Sequence, residues 1–267
     1  MNRSIVCAVC KDMKEYLRGK KNVFFSIALL LIGAMVVITT LFFPTLISAL
    51  AEKAPDMISD TASLEAMMAN LFPGDLKGSM GIWGSDVGVF YTIIVVLMVH
   101  SLVPGEIKNG KWVMPVATGY RKQELLLSKC LIYGVGAAFP VFILSNLYYF
   151  VASSLLEVNV NLTEAFSATV ILSIAIAGIT IITILSSVLY KHSIAAGLSM
   201  IIIVMVAPDV LTYFAFGKYL PTYLLTYIYS MTNNLTEVIV PLIELVVICI
   251  VLFVFASRKV LKMEISR

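Results

Sequence analysis

Long apolar runs recur along this chain, and most of the polar segments between them are short. The hydrocarbon core of a bilayer is roughly 30 Å thick, and a helix needs about 20 apolar residues to cross it. A helix satisfies its own backbone hydrogen bonds there, where water cannot. Only 13% of the residues are charged, about half of the fraction usual in soluble domains. We therefore predict an all-α polytopic membrane protein in which residues 1–267 form a single transmembrane domain.

The apolar runs predict six transmembrane helices. Their approximate bounds are 23–51, 87–103, 130–156, 165–190, 193–216 and 238–257. Pro208 and Asp209 interrupt the fifth run, so we expect broken or re-entrant backbone from there towards Phe216, surrounded by protein or water. An acidic outer loop is predicted over 52–86. Its last part contains four glycines, which are expected to break the helical pattern there: Gly74, Gly78, Gly81 and Gly84.

Residues 2–21 predict an amphipathic helix that lies on the membrane surface. Its apolar residues share one helical stripe: Ile5, Val9, Met13, Tyr16 and Leu17. Much of the remainder is Lys and Arg, which suits anionic lipid headgroups. A cleaved signal peptide is the alternative interpretation, but the uncharged run that follows is too long for its apolar region.

The distribution of Lys and Arg predicts the orientation. Sixteen of the 19 fall on one side of the predicted spans, and only Lys53, Lys77 and Lys218 fall on the other. Cytoplasmic segments carry the excess of positive charge in membrane proteins. Both termini and the loop 104–129 are therefore expected in the cytoplasm, with the chain in the plasma (inner) membrane. The formal charge of +3 then reflects topology, and no nucleic-acid partner is predicted.

Three ionisable residues lie at predicted membrane depth, namely His100, Asp209 and Glu244. Charged groups are expensive there, so such residues are candidates for a substrate or ion path. The alternative is a neutral side chain that hydrogen-bonds to a neighbouring helix or reaches the interface. Whether His100 and Glu244 lie near each other stays open.

Two local motifs partly match known functional patterns, but neither match is complete. Cys7 and Cys10 form a C-x-x-C, which could be a redox pair, half of a metal site or a lipidation site, but no partner motif completes it. Residues 105–112 approach the phosphate-binding pattern G-x-x-x-x-G-K-[ST], but Trp112 replaces the hydroxyl that would hold Mg²⁺. We predict no catalytic residue, metal ligand or cofactor on this chain.

The segment 104–129 is the longest polar interruption on the predicted cytoplasmic side, and a plain turn could be far shorter. We predict that it meets a partner protein, the alternative being a solvated basic loop. Trp112 and Pro115, with Met114, could fill a groove, while charged neighbours orient the contact. The candidate residues are Glu106, Lys108, Gly110, Lys111, Trp112, Pro115 and Arg121.

Within this segment, Glu106, Gly110, Pro115, Arg121 and Lys129 resemble the E-x3-G … P … R … K pattern of ABC exporter permeases of the type-2 class. The layout of spans resembles that family over essentially the whole chain. Lys111-Trp112 departs from it, since a small hydroxyl residue and an aliphatic residue often stand there.

The resemblance implies a permease subunit that is not itself an enzyme. It implies a second permease subunit, identical or related, and two ATP-binding-cassette subunits that carry ATP and Mg. These would act on a coupling segment at 104–122 and on the N-terminal helix.

Two other classes remain open. An ion-coupled secondary transporter would depend on His100, Asp209 and Glu244, although six spans are few and no internal repeat is evident. A membrane immunity or sensor protein could sequester a toxic peptide through the acidic loop 52–86. A membrane enzyme is disfavoured because no H-E-x-x-H or G-x-S-x-G motif occurs.

Overall fold

A computed structural model describes residues 3–42, 75–156, 158–190, 192–211, 219–230 and 235–263. Its helices are α1 (Arg3–Arg18), α2 (Lys20–Val37), α3 (Leu76–Asp86), α4 (Thr92–Val99), α5 (Leu102–Lys108), α6 (Val113–Ala117), α7 (Lys122–Ser153), α8 (Leu162–Leu189), α9 (Ser193–Leu211), α10 (Tyr223–Ser230) and α11 (Leu235–Lys262). Two π-helical turns, Ile38–Phe42 and Val87–Tyr91, follow α2 and α3.

Five helical segments of the described chain are long and apolar enough to cross a membrane. They are Asn22–Thr40, Leu76–Lys108, Lys122–Ser153, Leu162–Leu189 and Glu237–Lys262. The predicted all-α polytopic membrane architecture is confirmed at this level. The fifth predicted span contributes α9, whose apolar part Ser193–Val206 is shorter. Residues 43–74, with most of the outer loop, and residues 212–218 lie outside the described ranges. The expected break at Pro208 and Asp209 is wrong, since α9 continues as a helix through both residues to Leu211.

The second membrane helix begins eleven residues earlier than predicted. Helix starts at Leu76 rather than near residue 87, and the Asp75 side chain caps it by accepting a hydrogen bond from the Gly78 backbone N–H at 3.1 Å. Glycine disfavours an isolated helix. In a membrane bundle, however, small residues let helices approach closely, and Gly81 and Gly84 are buried where α3 packs. Tertiary packing therefore outweighs the local preference that suggested a loop.

The segment 104–129 is also more helical than predicted. It contains α5 and α6, and α7 begins at Lys122, eight residues before the predicted start at 130. Glu124 supports this start, because its carboxylate accepts a hydrogen bond from the Arg121 backbone N–H at 3.3 Å. Gly110 and Gly119 bracket α6 with φ angles of +69° and +96°. Such angles favour glycine, so the short helix is enclosed by two tight turns.

Helix α8 is the centre of the bundle and α11 is its least covered member. In the most apolar window of each helix, 72% of α8 but only 17% of α11 is buried within the chain. Helix α8 packs against α4, α7, α9, α10 and α11. The Lys259 ammonium of α11 donates to the Leu189 carbonyl at 2.7 Å, at the carboxyl end of α8. A cation at that end also interacts favourably with the helix dipole.

A proline in the middle of α7 is compensated by a tyrosine from α1, and a second tyrosine bonds to the next carbonyl. Pro140 has no N–H to donate to the carbonyl four residues earlier. That carbonyl, Gly136 O, instead accepts from the Tyr16 hydroxyl of α1 at 2.9 Å. The next carbonyl, Ala137 O, accepts from the Tyr91 hydroxyl at 2.9 Å. Helix α7 thus continues through Pro140, and α1 is held against it.

Candidate functional site

A buried ion cluster forms at the beginning of α7, around the Lys129 ammonium. Lys129 Nζ lies 2.8 Å from Glu106 Oε1, 3.1 Å from Asp12 Oδ1 and 3.2 Å from Glu15 Oε2. Lys129 is only 3% exposed and Asp12 only 1%. Removing these charges from water is costly, and such clusters persist only when charge and hydrogen bonds are satisfied together.

The second oxygens of Glu106 and Asp12 accept hydrogen bonds, whereas Asp12 Oδ1 has its ion pair with Lys129 but no hydrogen bond. The second oxygen of Glu106 accepts from the Trp112 indole N–H at 3.0 Å. Asp12 accepts a hydrogen bond from the Ser128 hydroxyl, one residue before the central lysine. Three parts of the chain are joined in this way: α1 through its acidic residues, the α5–α6 segment through Glu106 and Trp112, and α7 through Lys129.

The local sequence explains how each side chain reaches the cluster. Asp12 and Glu15 are three residues apart and therefore share one face of α1. Glu106 is in the short helix α5, and the turn at Gly110 brings the chain back so that Trp112 lies beside it. A cleft of about 240 Å³ opens at this point, lined by residues of the three segments.

Glu15 is the cluster member nearest to solvent, and its ionisation responds to several cations. Partial burial raises the pKa of its carboxyl. The positive charges of Lys129, Lys111 and Lys11 and the hydrogen bond from Lys129 outweigh burial, so the pKa lies below its ordinary value. The Lys111 ammonium is 3.6 Å away, in an exposed pair that adds little stability.

The predicted coupling residues divide into a buried pair and a surface set. Glu106 and Trp112 are buried in the cluster, so the indole fills a position inside this chain rather than projecting from it. Met114 of α6 is the large apolar side chain that projects here, with 72% exposed. The other candidates are exposed or half-buried around it: Lys108, Gly110, Lys111, Pro115 and Arg121.

The predicted intramembrane site is not assembled by the described contacts. The His100 ring bonds to the Leu97 carbonyl of its own helix at 2.7 Å and packs against Gly197 of α9. Glu244 is half-buried on α11, and no described hydrogen bond or ion pair joins it to His100. Asp209 lies on α9, and its side chain is outside the described part of the structure.

Three members of the cluster were absent from the predicted site residues. Lys129 was in the family pattern but not among the predicted contacts, and Asp12 and Glu15 were overlooked. A signal was present, because these two are the only acidic residues of α1, three positions apart in an otherwise basic helix. Two acids at this spacing share one helical face and are therefore candidates to pair with a cation on a packed neighbour.

A neutral polar network lies near the other end of α7. The Tyr148 hydroxyl is 2.5 Å from Ser79 Oγ and 3.1 Å from Thr40 Oγ1. The Trp83 indole N–H donates to Ser145 Oγ at 2.8 Å, and its ring stacks on Tyr148 with 4.7 Å between centroids. This network joins the π-helical turn after α2 to α3 and α7.

The cysteine motif gathers no metal site within the described chain. Cys7 and Cys10 are both exposed on α1. The described residues contain no group of three or more His, Cys, Asp and Glu side chains that could hold a metal ion. The prediction that this chain has no metal ligand stays a prediction.

Comparison with known proteins gives no family for this chain: no family model, no curated protein and no solved structure matches it.

Proposed function

We propose that this chain is the membrane-spanning permease subunit of an ATP-driven exporter of the type-2 ABC class. In this proposal it has six spans, with both termini and the α5–α6 segment in the cytoplasm and the spans in the plasma membrane. A second permease subunit completes the translocation pathway. Two ATP-binding subunits dock on the cytoplasmic face and carry ATP and Mg.

The observation that carries the proposal is the Glu106–Lys129 pair, with 2.8 Å between its charged atoms. It connects a short surface segment to the start of a membrane helix through a contact buried from water. Removing one partner of such a pair costs roughly 3–5 kcal/mol. A load on α5–α6 is therefore transmitted to α7 rather than absorbed by a loose loop.

The N-terminal helix shares the load because Asp12 and Glu15 bind the same ammonium. Displacement of α6 would move α1, α5 and α7 together. Interfaces with a few discrete packing arrangements turn small shifts into switches between states. In the proposed transporter, this movement changes the access of the pathway from one side of the membrane to the other.

The surface of α6 suits a partner groove. Met114 is a flexible apolar side chain, and such side chains adapt to the groove they enter. Exposed cations of the same segment, Lys108, Lys111 and Arg121, can orient the partner and speed association. His100, Asp209 and Glu244 remain predictions for the substrate or ion path.

The proposal is tested first by purifying the chain from its native membrane in a gentle detergent and identifying what co-purifies. A stoichiometric ATP-binding subunit is expected. A clean homo-oligomer, under conditions that keep known transport complexes intact, would refute the proposed assembly.

The coupling role is tested with Glu106→Ala and Trp112→Ala combined. The double variant should insert in the membrane yet lose substrate-stimulated ATP hydrolysis by the complex. Leu147→Ala, an exposed apolar position farther along α7, is the control and should behave like wild type. Normal ATP-dependent transport by the double variant would exclude α5–α6 as the coupling segment.

A further inference from the structure

An apolar wedge opens between α1, α2 and α7. Its volume is about 710 Å³. Its floor is the contact of Tyr16 with Gly136, where an added Cβ would come within 2.4 Å of the tyrosine ring. Its wall on α7 is formed by Val135, Phe139 and Ile143, which are between 46% and 60% exposed.

The wedge extends along α7 for slightly more than the depth of one bilayer leaflet. Its lining on α7 extends from Leu131 to Leu144, a rise of roughly 20 Å at 1.5 Å per residue. Half of a hydrocarbon core measures about 15 Å. On α2 the lining passes from Asn22 through Ser26 to Leu30, so it is polar at the end nearest α1 and apolar at depth.

Exposed positive charge lies in the turn between α1 and α2, next in the chain to residues that line the wedge. Arg18 ends α1 and Lys20 begins α2, and both are exposed beside the lining residue Leu17. The acidic residues of α1, Asp12 and Glu15, pair with Lys129, and Glu15 also lines a separate cleft together with Arg18. An occupant with an apolar tail and an anionic head complements both parts of the wedge.

A second copy of this chain fits the wedge less well. A two-fold contact would place the same surface against itself. The basic rims containing Arg18 and Lys20 would then face each other, and like charges across an interface oppose association.

We propose that the wedge is a binding site for one anionic phospholipid of the leaflet nearest α1. One acyl chain lies along Val135, Phe139 and Ile143, and the phosphate lies near Arg18 and Lys20. The bound lipid also contacts α1 and α2 and thereby holds them against α7. This inference does not depend on the exporter proposal.

The first test measures lipid retention by native mass spectrometry of the purified full chain. The detergent-solubilised chain is titrated with phosphatidylglycerol or with phosphatidylcholine. One phosphatidylglycerol should be retained. Val135→Trp, which fills the wedge, should lose it, while Leu147→Trp, equally lipid-exposed on the same helix but outside the wedge, should keep it. Equal retention by the two variants would overturn the proposal.

The headgroup requirement is tested with Arg18→Gln and Lys20→Gln combined. Phosphatidylglycerol binding should weaken roughly thirtyfold, given what two basic residues contribute near anionic lipid, and phosphatidylcholine binding should not change. Lys77→Gln, an exposed lysine at the far end of the bundle, is the control. Equal binding of both lipids by wild type would overturn the assignment.

A third measurement needs no variant. Phosphatidylglycerol with a photoreactive acyl chain is bound to the wild-type protein and the labelled peptides are mapped. Labels should concentrate on residues 22–30 and 131–144. Labels spread evenly over exposed apolar helices such as α11 would contradict a single site, and a cross-link between two copies of the chain through the wedge would assign it to protein instead.

Discussion

Helix α7 carries two polar clusters that are built on opposite principles. Near its start, Lys129 gathers three carboxylates from two other segments. Near its end, Tyr148 gathers the neutral hydroxyls of Ser79 and Thr40. Both connect α7 to earlier parts of the chain. Only the first depends on a single charged member, because the loss of Lys129 leaves buried carboxylates without their cation.

The difference lies in how stability is lost when one member of each cluster is removed. In the neutral network each hydrogen bond contributes roughly 1 kcal/mol, and its loss leaves the others intact. In the ion cluster the segments hold together as one unit or separate at high cost. We infer that the Lys129 end of α7 is held as one cooperative unit, while the Tyr148 end is held by separate hydrogen bonds.

The largest effect is expected from Lys129→Met. The substitution keeps the volume but leaves Asp12, Glu15 and Glu106 without their cation. We expect a loss of about 3–5 kcal/mol in the free energy of unfolding, measured by titration into a denaturing detergent. Adding Glu106→Gln should recover part of the loss. If the free energy of unfolding falls by no more than a neutral hydrogen bond contributes, the ion cluster and the neutral network do not differ in the way proposed.

A second effect, of roughly 1–3 kcal/mol, is expected from Gly136→Ala. The new Cβ would lie 2.4 Å from the Tyr16 ring, so the tyrosine must move away from α7. The Gly136 carbonyl then loses its hydrogen bond from the Tyr16 hydroxyl. Hydrogen exchange along α1 should rise. Gly105→Ala is the control, because nothing lies within 4 Å of its added Cβ. If α1 stays protected in Gly136→Ala, the ion cluster alone holds it.

Tyr148→Phe should be milder, at about 1–2 kcal/mol. It removes the hydroxyl shared by Ser79 and Thr40 and keeps the ring that stacks on Trp83. The same unfolding titration measures it. If Tyr148→Phe lowers the free energy of unfolding as much as Lys129→Met does, the neutral network around Tyr148 is as cooperative as the ion cluster.

The smallest effect concerns pH and Glu15. Folding lowers the pKa of this carboxyl below its ordinary 4.5, so its ionised form stabilises the fold. That contribution is complete above pH 4.5 and is lost as the pH falls through the folded-state pKa. Comparing unfolding of wild type and Glu15→Gln across this window should show a modest difference, since the group is partly exposed. If the free energies of unfolding of wild type and Glu15→Gln change with pH in parallel, the ionised Glu15 carboxylate does not stabilise the cluster.

Sequence reasoning succeeds where a local pattern has one physical cause. The apolar runs fixed the membrane class because the bilayer imposes length and polarity on each span. The stripe on the N-terminal segment predicted α1, and the pattern from Glu106 to Lys129 contains the central ion pair.

Prediction from the sequence fails where tertiary packing outweighs the local preference of the residues. Gly81 and Gly84 suggest a loop locally but are buried within α3 because another helix can approach them. Trp112 was predicted to face a partner, yet its indole binds Glu106 inside the chain. The attachment of Asp12 and Glu15 to a lysine more than a hundred residues away leaves no trace in local spacing beyond their shared face.

Because little of α11 is covered by the rest of the chain, the orientation of this helix should depend on the thickness of the bilayer. A helix with so few protein neighbours takes its tilt largely from the match between its apolar length and the hydrocarbon layer. Its carboxyl end is tied to α8 by Lys259, so a thinner or thicker membrane would pull on the most buried helix through its least buried neighbour.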